Sequence, residues 1–378
     1  MIKNYFGLFY IKIIEINTQK DFYALRDIWN ETLELTNNDV FSTWEWLYTW
    51  WKYFGKKRKL LILLAKENEK IIGIAPLMIS TIRVFGQSKS IVEFVGAEHL
   101  HTGYNDFIII NNHQKCIKLF FDYLNNVSKN WIYTRLIDIP EKSNSMEPLI
   151  QLSNKIELSH ECLTVPLSSS FSDFLITIQT RARKSFKNKL KKLNKKFKVE
   201  LVDYSDPNLV TQGMNKLFDL HQNRWKIKKG FKGMFVDPRF RDFSLEVADA
   251  LSRNGRLGLY ALEISGKTVA IQWGMRYNSK YYSNLSGLDS EYLHYNVGIL
   301  LRFLIIEKCI QDKFIEYDFL WGNDMWKKRF KPKLKCTYNS IVLRKKLSAK
   351  VIALSFTKYK KGRNIIDSKL RKFISKPR

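Results

Sequence analysis

Three polar side chains near the end of the chain, Asp318, Asp324 and Lys327, have types and spacing that could move a proton and hold a charged group. Asp318 stands near the end of a β-rich run, Phe314-Ile-Glu-Tyr-Asp-Phe-Leu320. Asp324 and Lys327 belong to the polar run that follows, Trp321-Gly-Asn-Asp-Met-Trp-Lys-Lys-Arg329. Upstream, Asn296-Val297-Gly298 opens Ile299-Leu-Leu-Arg-Phe-Leu-Ile-Ile-Glu-Lys-Cys-Ile310, in which only Arg302, Glu307 and Lys308 are charged. A helix apolar on most faces is buried, but one entered through glycine can leave its first backbone amides open. Those amides, from Val297 to Ile299, and the positive end of the helix dipole suit a phosphate or pyrophosphate.

Acyl transfer from a thioester to an amine has three requirements: a polarised carbonyl, a proton acceptor for the amine and a hold on the donor. A bulged strand beside a glycine-entered helix meets the first and the last. For the proton the available groups are Asp318, Asp324 and, further back, Asp289 or His221. A carboxylate partly buried at a strand end has a raised pKa, which suits Asp318 to the task. The competing reading makes Asp318 a structural carboxylate paired with Lys327 or Arg329.

The elements that position these groups are β-rich runs joined by tight turns. Leu257–Glu263 turns at Ser265-Gly266-Lys267 into Thr268–Met275, and Asn278-Ser279 leads into Lys280–Leu285. The first half shows the same order. A hairpin, Leu60–Ala65 with Ile71–Met78, is followed by a strand at Ile91–Val95, a helix at Cys116–Asn125 and a strand at Thr134–Pro140. Ile72, Gly73 and Met78 sit 197 positions before Val269, Ala270 and Met275. This predicts an internal duplication in an α/β (α+β) protein. The first half has no counterpart of Asn296-Val297-Gly298, so only the second is expected to hold a phosphate. Phe41-Ser-Thr-Trp-Glu-Trp-Leu-Tyr-Thr-Trp-Trp-Lys-Tyr-Phe-Gly55 reads as a helix capped by Ser42 or Thr43 whose tryptophans pack in the core.

Between the halves, ten of the 18 residues from Arg181 to Lys198 are Lys or Arg and none is acidic. Phe186, Leu190, Leu193 and Phe197 form one apolar stripe along that helix, which reads either as a polyanion contact or as a connector with a solvated cationic face. The formal charge of +28 over 378 residues predicts attraction to a phosphate-bearing cofactor, nucleic acid or an anionic membrane face. A lysine- and asparagine-rich composition accounts for part of it. Lys226 to Gly233 reads as a basic flap, and 346–378 as a basic, weakly amphipathic tail.

Several chemistries are excluded. There is no Walker loop, no G-x-S-x-G and no H-E-x-x-H. His99-Leu-His101 lacks a third ligand, so no metal is expected. Cys116, Cys162, Cys309 and Cys336 show no paired spacing, which argues for a reducing compartment. The apolar start is broken by Asn4 and Lys12 and reads as neither signal peptide nor membrane span.

Asp289, Asn296-Val297-Gly298-Ile-Leu-Leu301 and Tyr317-Asp-Phe-Leu-Trp-Gly322 with Trp326-Lys327 resemble the CelD/BcsL-like GNAT acyltransferases of bacterial exopolysaccharide and cellulose synthesis. So do the Glu45-Trp-Leu-Tyr-Thr-Trp-Trp51 run, the basic helix from Arg183 to Leu193, and Leu220-His-Gln-Asn-Arg-Trp225. The resemblance covers about residues 12–335. This chain has Asn296-Val297-Gly298 where the family has Ser-Pro-Gly, and Trp326-Lys327 where Tyr-Lys is usual. It implies two tandem GNAT-like domains with mixed, mostly antiparallel sheets flanked by helices, similar in architecture to the FemABX aminoacyl transferases. The expected division is an N-terminal lobe at 1–160, a basic connecting helix at 161–200, a donor-binding lobe at 201–345 and the tail.

The expected donor is acetyl-CoA or another acyl-CoA, held at Asn296, Val297, Gly298 and Ile299. The expected acceptor is an amino group of a sugar or glycan precursor, near His221, Arg224, Trp225, Asp289 and Gly322, with Lys327 on an anionic part of it. The protein is expected in the cytoplasm, with peripheral contact at an anionic membrane face. Two alternatives stand beside this: an aminoacyl-tRNA-dependent transferase gripping RNA through Arg181–Lys198, and a non-catalytic scaffold binding nucleic acid or membrane.

Overall fold

The computed structural model describes residues 11–84, 86–97, 103–127, 131–227 and 233–344. His99 and His101, most of the expected flap, the first ten residues and the basic tail lie outside them. The first half runs β1 (Ile11–Ile16), α1 (Gln19–Ala24), α2 (Arg26–Glu34), α3 (Trp44–Phe54), β2 (Lys59–Glu67), β3 (Lys70–Val84) and β4 (Gln87–Phe94). It continues with β5 (Ile108–Ile109), α4 (His113–Val127), β6 (Trp131–Pro140), α5 (Met146–Leu152) and β7 (Lys155–Pro166). After α6 (Phe171–Thr177) and α7 (Thr180–Asn194) come β8 (Val199–Asp203), α8 (Val210–Ile227), α9 (Pro238–Arg253), β9 (Leu257–Ile264) and β10 (Lys267–Tyr277). The last elements are β11 (Lys280–Leu288), α10 (Val297–Gln311), β12 (Glu316–Trp321) and β13 (Lys333–Leu343).

The strands form one mixed sheet in the order β1-β2-β3-β4-β6-β13-β7-β12-β11-β10-β9-β8, with β5 beside β3. Among the described residues only β4 with β6 and β11 with β12 run parallel. Each half is an antiparallel run of four strands, then a helix, then a parallel strand. The halves then exchange their last strands. β13 pairs with β6, β7 pairs with β12, and β7 and β13 pair with each other at the centre. A cut after residue 160 therefore falls inside β7, a strand whose ladder joins both halves.

Local sequence explains much of this. Asn68-Glu69, Ser265-Gly266 and Asn278-Ser279 all take positive φ at their hairpin turns, the twist that two-residue loops require. Thr43, rather than Ser42, caps α3 by accepting from the Trp46 amide. Trp46 and Trp50 are buried, and Trp46 packs edge-on against Phe243 of α9 at 5.6 Å, so the aromatic helix is core between the halves. On α7, Ala182, Phe186 and Leu193 are buried, and Phe186 stacks on Phe303 of α10 at 4.4 Å. The apolar stripe thus forms a wall against α10, except that Phe197 falls past the helix end and is 36% exposed.

The first half does have a counterpart of the helix entry. Asn112 precedes α4 at φ 55°, as Asn296 precedes α10 at φ 57°. Asp138 in β6 and Leu320 in β12 also share a left-handed conformation, each opposite a register shift in the neighbouring ladder. The backbone of the entry is therefore repeated, although the first asparagine has no glycine after it and its sequence does not repeat Asn296-Val297-Gly298. Among the described residues no helix is long and apolar enough to cross a membrane.

Candidate active site

β11 and β12 pair only through Lys280–Tyr282 and Glu316–Asp318. Beyond these residues they share no ladder, leaving a wedge with α10 entering beside it. Asn296 turns the chain into α10 through its left-handed backbone, and its carbonyl accepts from the amides of Ile299 at 2.9 Å and Leu300 at 3.0 Å. Val297 and Gly298 carry amides with no hydrogen bond among the described residues. Ile299 therefore drops out of the expected amide set, because its N–H closes the first turn. A Cβ on Gly298 would meet Leu288 at 3.0 Å and Arg302 at 3.3 Å, so glycine allows the close approach of α10 to β11.

Arg302 reaches into this wedge, and the sequence reading assigned it no role. It donates to the Gly298 carbonyl at 2.6 Å and to Ser286 Oγ at 3.4 Å, and it lies over the Trp326 ring at 4.2 Å. Burial pushes its pKa down, and its Nε has no hydrogen-bond partner. An arginine held on an aromatic face with a spare donor is equipped to meet an anion.

The expected catalytic trio is rearranged. Asp318 is fully buried rather than partly so. It accepts from Tyr104 Oη and from the Leu320 amide, both at 2.7 Å, and its ion partner is Lys335 at 3.7 Å, not Lys327 or Arg329. With its lone pairs committed, it serves as a strut for the left-handed Leu320. Lys327 does not face outward toward an acceptor. It is 3% exposed, and the carbonyls of Phe319 (3.2 Å), Leu320 (3.4 Å), Trp321 (2.5 Å) and Gly322 (2.9 Å) share the three N–H donors of its Nζ. Burial lowers its pKa to about 8, against the nearby Asp324. Asp324, its side chain 44% exposed and 4.0 Å from Lys327 Nζ, is the member of the trio open to an acceptor. Gly322 has φ 94°, which lets the polar loop double back over Lys327.

Of the expected acceptor residues, His221 is buried on α8 against Phe235, with ring centroids 5.0 Å apart. α8 lies on β11 where a Cβ on Gly287 would strike Leu220 at 2.7 Å. Arg224, one turn on, has its pKa lowered by burial. The Trp225 side chain lies outside the described residues. Asp289 is committed elsewhere: it accepts from the Glu291 amide at 3.0 Å, capping the turn before α10, and pairs with Lys267 at 2.9 Å.

A cleft of about 490 Å³ between the halves was not foreseen. Asp39 and Asp106 of the first half face Lys335, Tyr282 and Glu316 of the second across it. Burial raises Asp39 to about 7, with Asp106 and Asp318 adding repulsion and Lys335 opposing. Burial likewise raises Asp106 to about 6, while hydrogen bonds from Ser143 and from the Phe107 amide restrain it. The available signal was a polar step before an apolar run in both places, Asn37-Asn38-Asp39 and Asn105-Asp106. No cluster able to hold a metal occurs among the described residues.

Residues 180–328, from α7 through β12 and the wedge, match the family described as Acetyltransferase (GNAT) domain. The match falls in the second half of the chain and spans the wedge. No curated protein matches the chain. Among solved structures, FemX covers 88% of this chain and 98% of its own at 11% identity and a TM-score of 0.61. L-PGS from Bacillus licheniformis covers 87% and 95% at 11% identity and 0.53. A conserved protein of unknown function from Bacteroides thetaiotaomicron covers 88% and 100% at 11% identity and 0.53. These likenesses extend over both halves, and with the internal repeat they show a two-lobed fold shared with FemX. The matched segment contains the wedge, and the first half closes the cleft opposite it.

Proposed function

We propose that the protein is an acyl-CoA-dependent N-acyltransferase acting on an amino group of a sugar or glycan precursor in bacterial envelope or extracellular polysaccharide synthesis. The observation that carries this reading is the wedge of the GNAT domain, with two unbonded first-turn amides and the spare donor of Arg302 converging on it. The amides of Val297 and Gly298, with Arg302, hold the diphosphate of the donor. The amine attacks the thioester carbonyl, so that a C–N bond forms, the C–S bond breaks, and the thiolate leaves to be protonated. Asp324 is the exposed carboxylate beside the polar loop that takes the amine's proton. Asp39 and Asp106 hold an amine-bearing acceptor in the cleft, where a carboxylate titrating near neutrality suits that role. Use of acyl-CoA puts the reaction in the cytoplasm, with the cationic face of α7 available to an anionic membrane.

Calorimetric titration with acetyl-CoA tests this. Binding in the range of roughly 1–50 μM is expected, weakened about thirtyfold or more by Gly298→Glu, which sets a carboxylate against the donor's phosphates. The variant's melting curve checks that it folds. Absence of heat with acetyl-CoA and with longer acyl-CoAs would remove the reading.

One observation favours a second reading, a charged-RNA donor: α7 packs its apolar stripe on α10 and turns a row of exposed lysines to solvent. An RNA complex loses affinity steeply as salt rises, whereas a CoA complex does so mildly. Titration of aminoacyl-tRNA at two salt concentrations separates the two.

A further inference from the structure

A second cavity, of about 530 Å³, lies away from both the wedge and the cleft. It sits where the end of α3 and the turn after it meet β3, β6 and the start of α9, so both halves build it. Its cations are Lys56, Lys57, Arg58, Arg135 and Arg239, against one carboxylate, Glu93. That carboxylate is committed, because Arg135 donates to it from Nε at 2.6 Å and from Nη2 as well. Asp237 answers Arg239 at 2.6 Å from outside the lining. Lys56 and Lys57 are exposed and form no ion pair among the described residues. The cavity thus concentrates positive charge at the carbonyl end of α3, the end where an anion gains nothing from the helix dipole. Any attraction for an anion there comes from the side chains.

Two buried donors in the same wall also lack partners. Ser80 on β3 is 8% exposed, and its hydroxyl has no hydrogen bond. Arg58 donates through Nη1 to the Phe54 carbonyl at 2.7 Å, which fixes its guanidinium and leaves Nε unpaired. Both residues line the cavity, so a small side-chain rotation brings either donor to an anion held there. Phe54 and Phe240, tilted with centroids 5.2 Å apart, give the cavity an apolar side. The volume is that of a small-molecule site.

We infer that this cavity binds a phosphate-bearing small molecule, its phosphates on Lys56, Lys57, Arg58 and Ser80 and a flat ring against Phe240. The inference does not depend on acyl-CoA use, since the donor wedge is built on other elements.

Uridine diphosphate and inorganic pyrophosphate are the probes, titrated calorimetrically into the full chain. Wild-type protein is expected to bind both, the nucleotide more tightly because its ring adds contact. Charge reversal at two exposed positions, Lys56→Glu with Lys57→Glu, is expected to weaken binding about tenfold or more, and Ser80→Ala about threefold. Gly298→Glu, at the wedge, is expected to leave binding of these probes to the cavity unchanged. No binding at millimolar probe overturns the inference. So does binding that survives the double reversal and disappears with Gly298→Glu, because the anion then sits in the wedge alone. If acetyl-CoA fails to bind while pyrophosphate binding still depends on Lys56 and Lys57, the donor reading falls and this one stands.

Discussion

Lys327→Met is expected to lower stability by about 3 kcal/mol and to reduce transfer by about a hundredfold or more. Methionine can follow the lysine stem, so the loss comes from the ammonium. Four carbonyls, from Phe319 to Gly322, converge on Nζ. With the cation gone the buried pair, on Phe319 and Leu320, loses its donor while the outer two turn to solvent, and each buried unpaired acceptor costs about 1–3 kcal/mol before relaxation. Leu320 is held at φ 54° between this cation and the Asp318 carboxylate, a conformation that costs a leucine about 1–3 kcal/mol and persists only while both sides are fixed. Release of the loop would let the end of β12 straighten, closing the wedge and displacing Asp324 and Trp326. Lys327→Arg is expected to fail too, because a planar fork cannot serve four carbonyls gathered around one nitrogen. Urea denaturation and single-turnover transfer check this. A variant within about 0.5 kcal/mol of wild type would show that the carbonyl ring is not what holds the loop.

The second large effect is expected from Asp39→Asn. Burial raises the Asp39 carboxyl from its ordinary 3.8 to about 7. Between those values the folded chain keeps a proton that the unfolded chain has released. Stability from this group is therefore full below the ordinary carboxylate range and is lost as pH rises through about 7. Asp106, raised to about 6, adds a slope of the same sign over a lower window. Asparagine can still accept from the Phe41 amide, the cap that Asp39 provides, and it carries no charge to desolvate. The variant should be more stable than wild type at pH 8 by about 2 kcal/mol, a figure halved from the full shift because Asp39 is only half-buried. The two should converge near pH 4. If the amine acceptor rests on this carboxylate, the same variant raises KM for the acceptor and leaves acetyl-CoA binding unchanged. Parallel stability curves for the two proteins from pH 4.5 to 8 would rule out Asp39 as the titrating group.

These two predictions rest on residues that stood differently in the sequence. Lys327 was legible as part of the site, but its direction was not. A lysine three residues past an aspartate in a polar loop looks solvated, and only the doubling-back of the loop at Gly322 encloses it. Asp39 carried no motif and was not singled out. Its companions in the cleft, Asp106 beside it and Lys335 across from it, come from a different loop and from the last strand.

The sequence alone determined the parts that depend on neighbours a few residues away. The hairpin turns at Ser265-Gly266 and Asn278-Ser279, the helix from Gly298 to Ile310, the cap and core role of the aromatic helix, and the apolar stripe of α7 all follow from local periodicity and turn chemistry. The GNAT-like reading came instead from the resemblance that Asn296–Leu301, Tyr317–Gly322 and Trp326-Lys327 carry. The tertiary structure decided everything that needed distant segments to meet. Tyr104 on Asp318, Lys335 facing Asp39, and β13 between β6 and β7 each join residues far apart in the chain. Periodicity carries no information about such pairings. They are set when two similar halves bury their open edges by trading a strand, and that exchange brings carboxylates and lysines from both halves into one cleft.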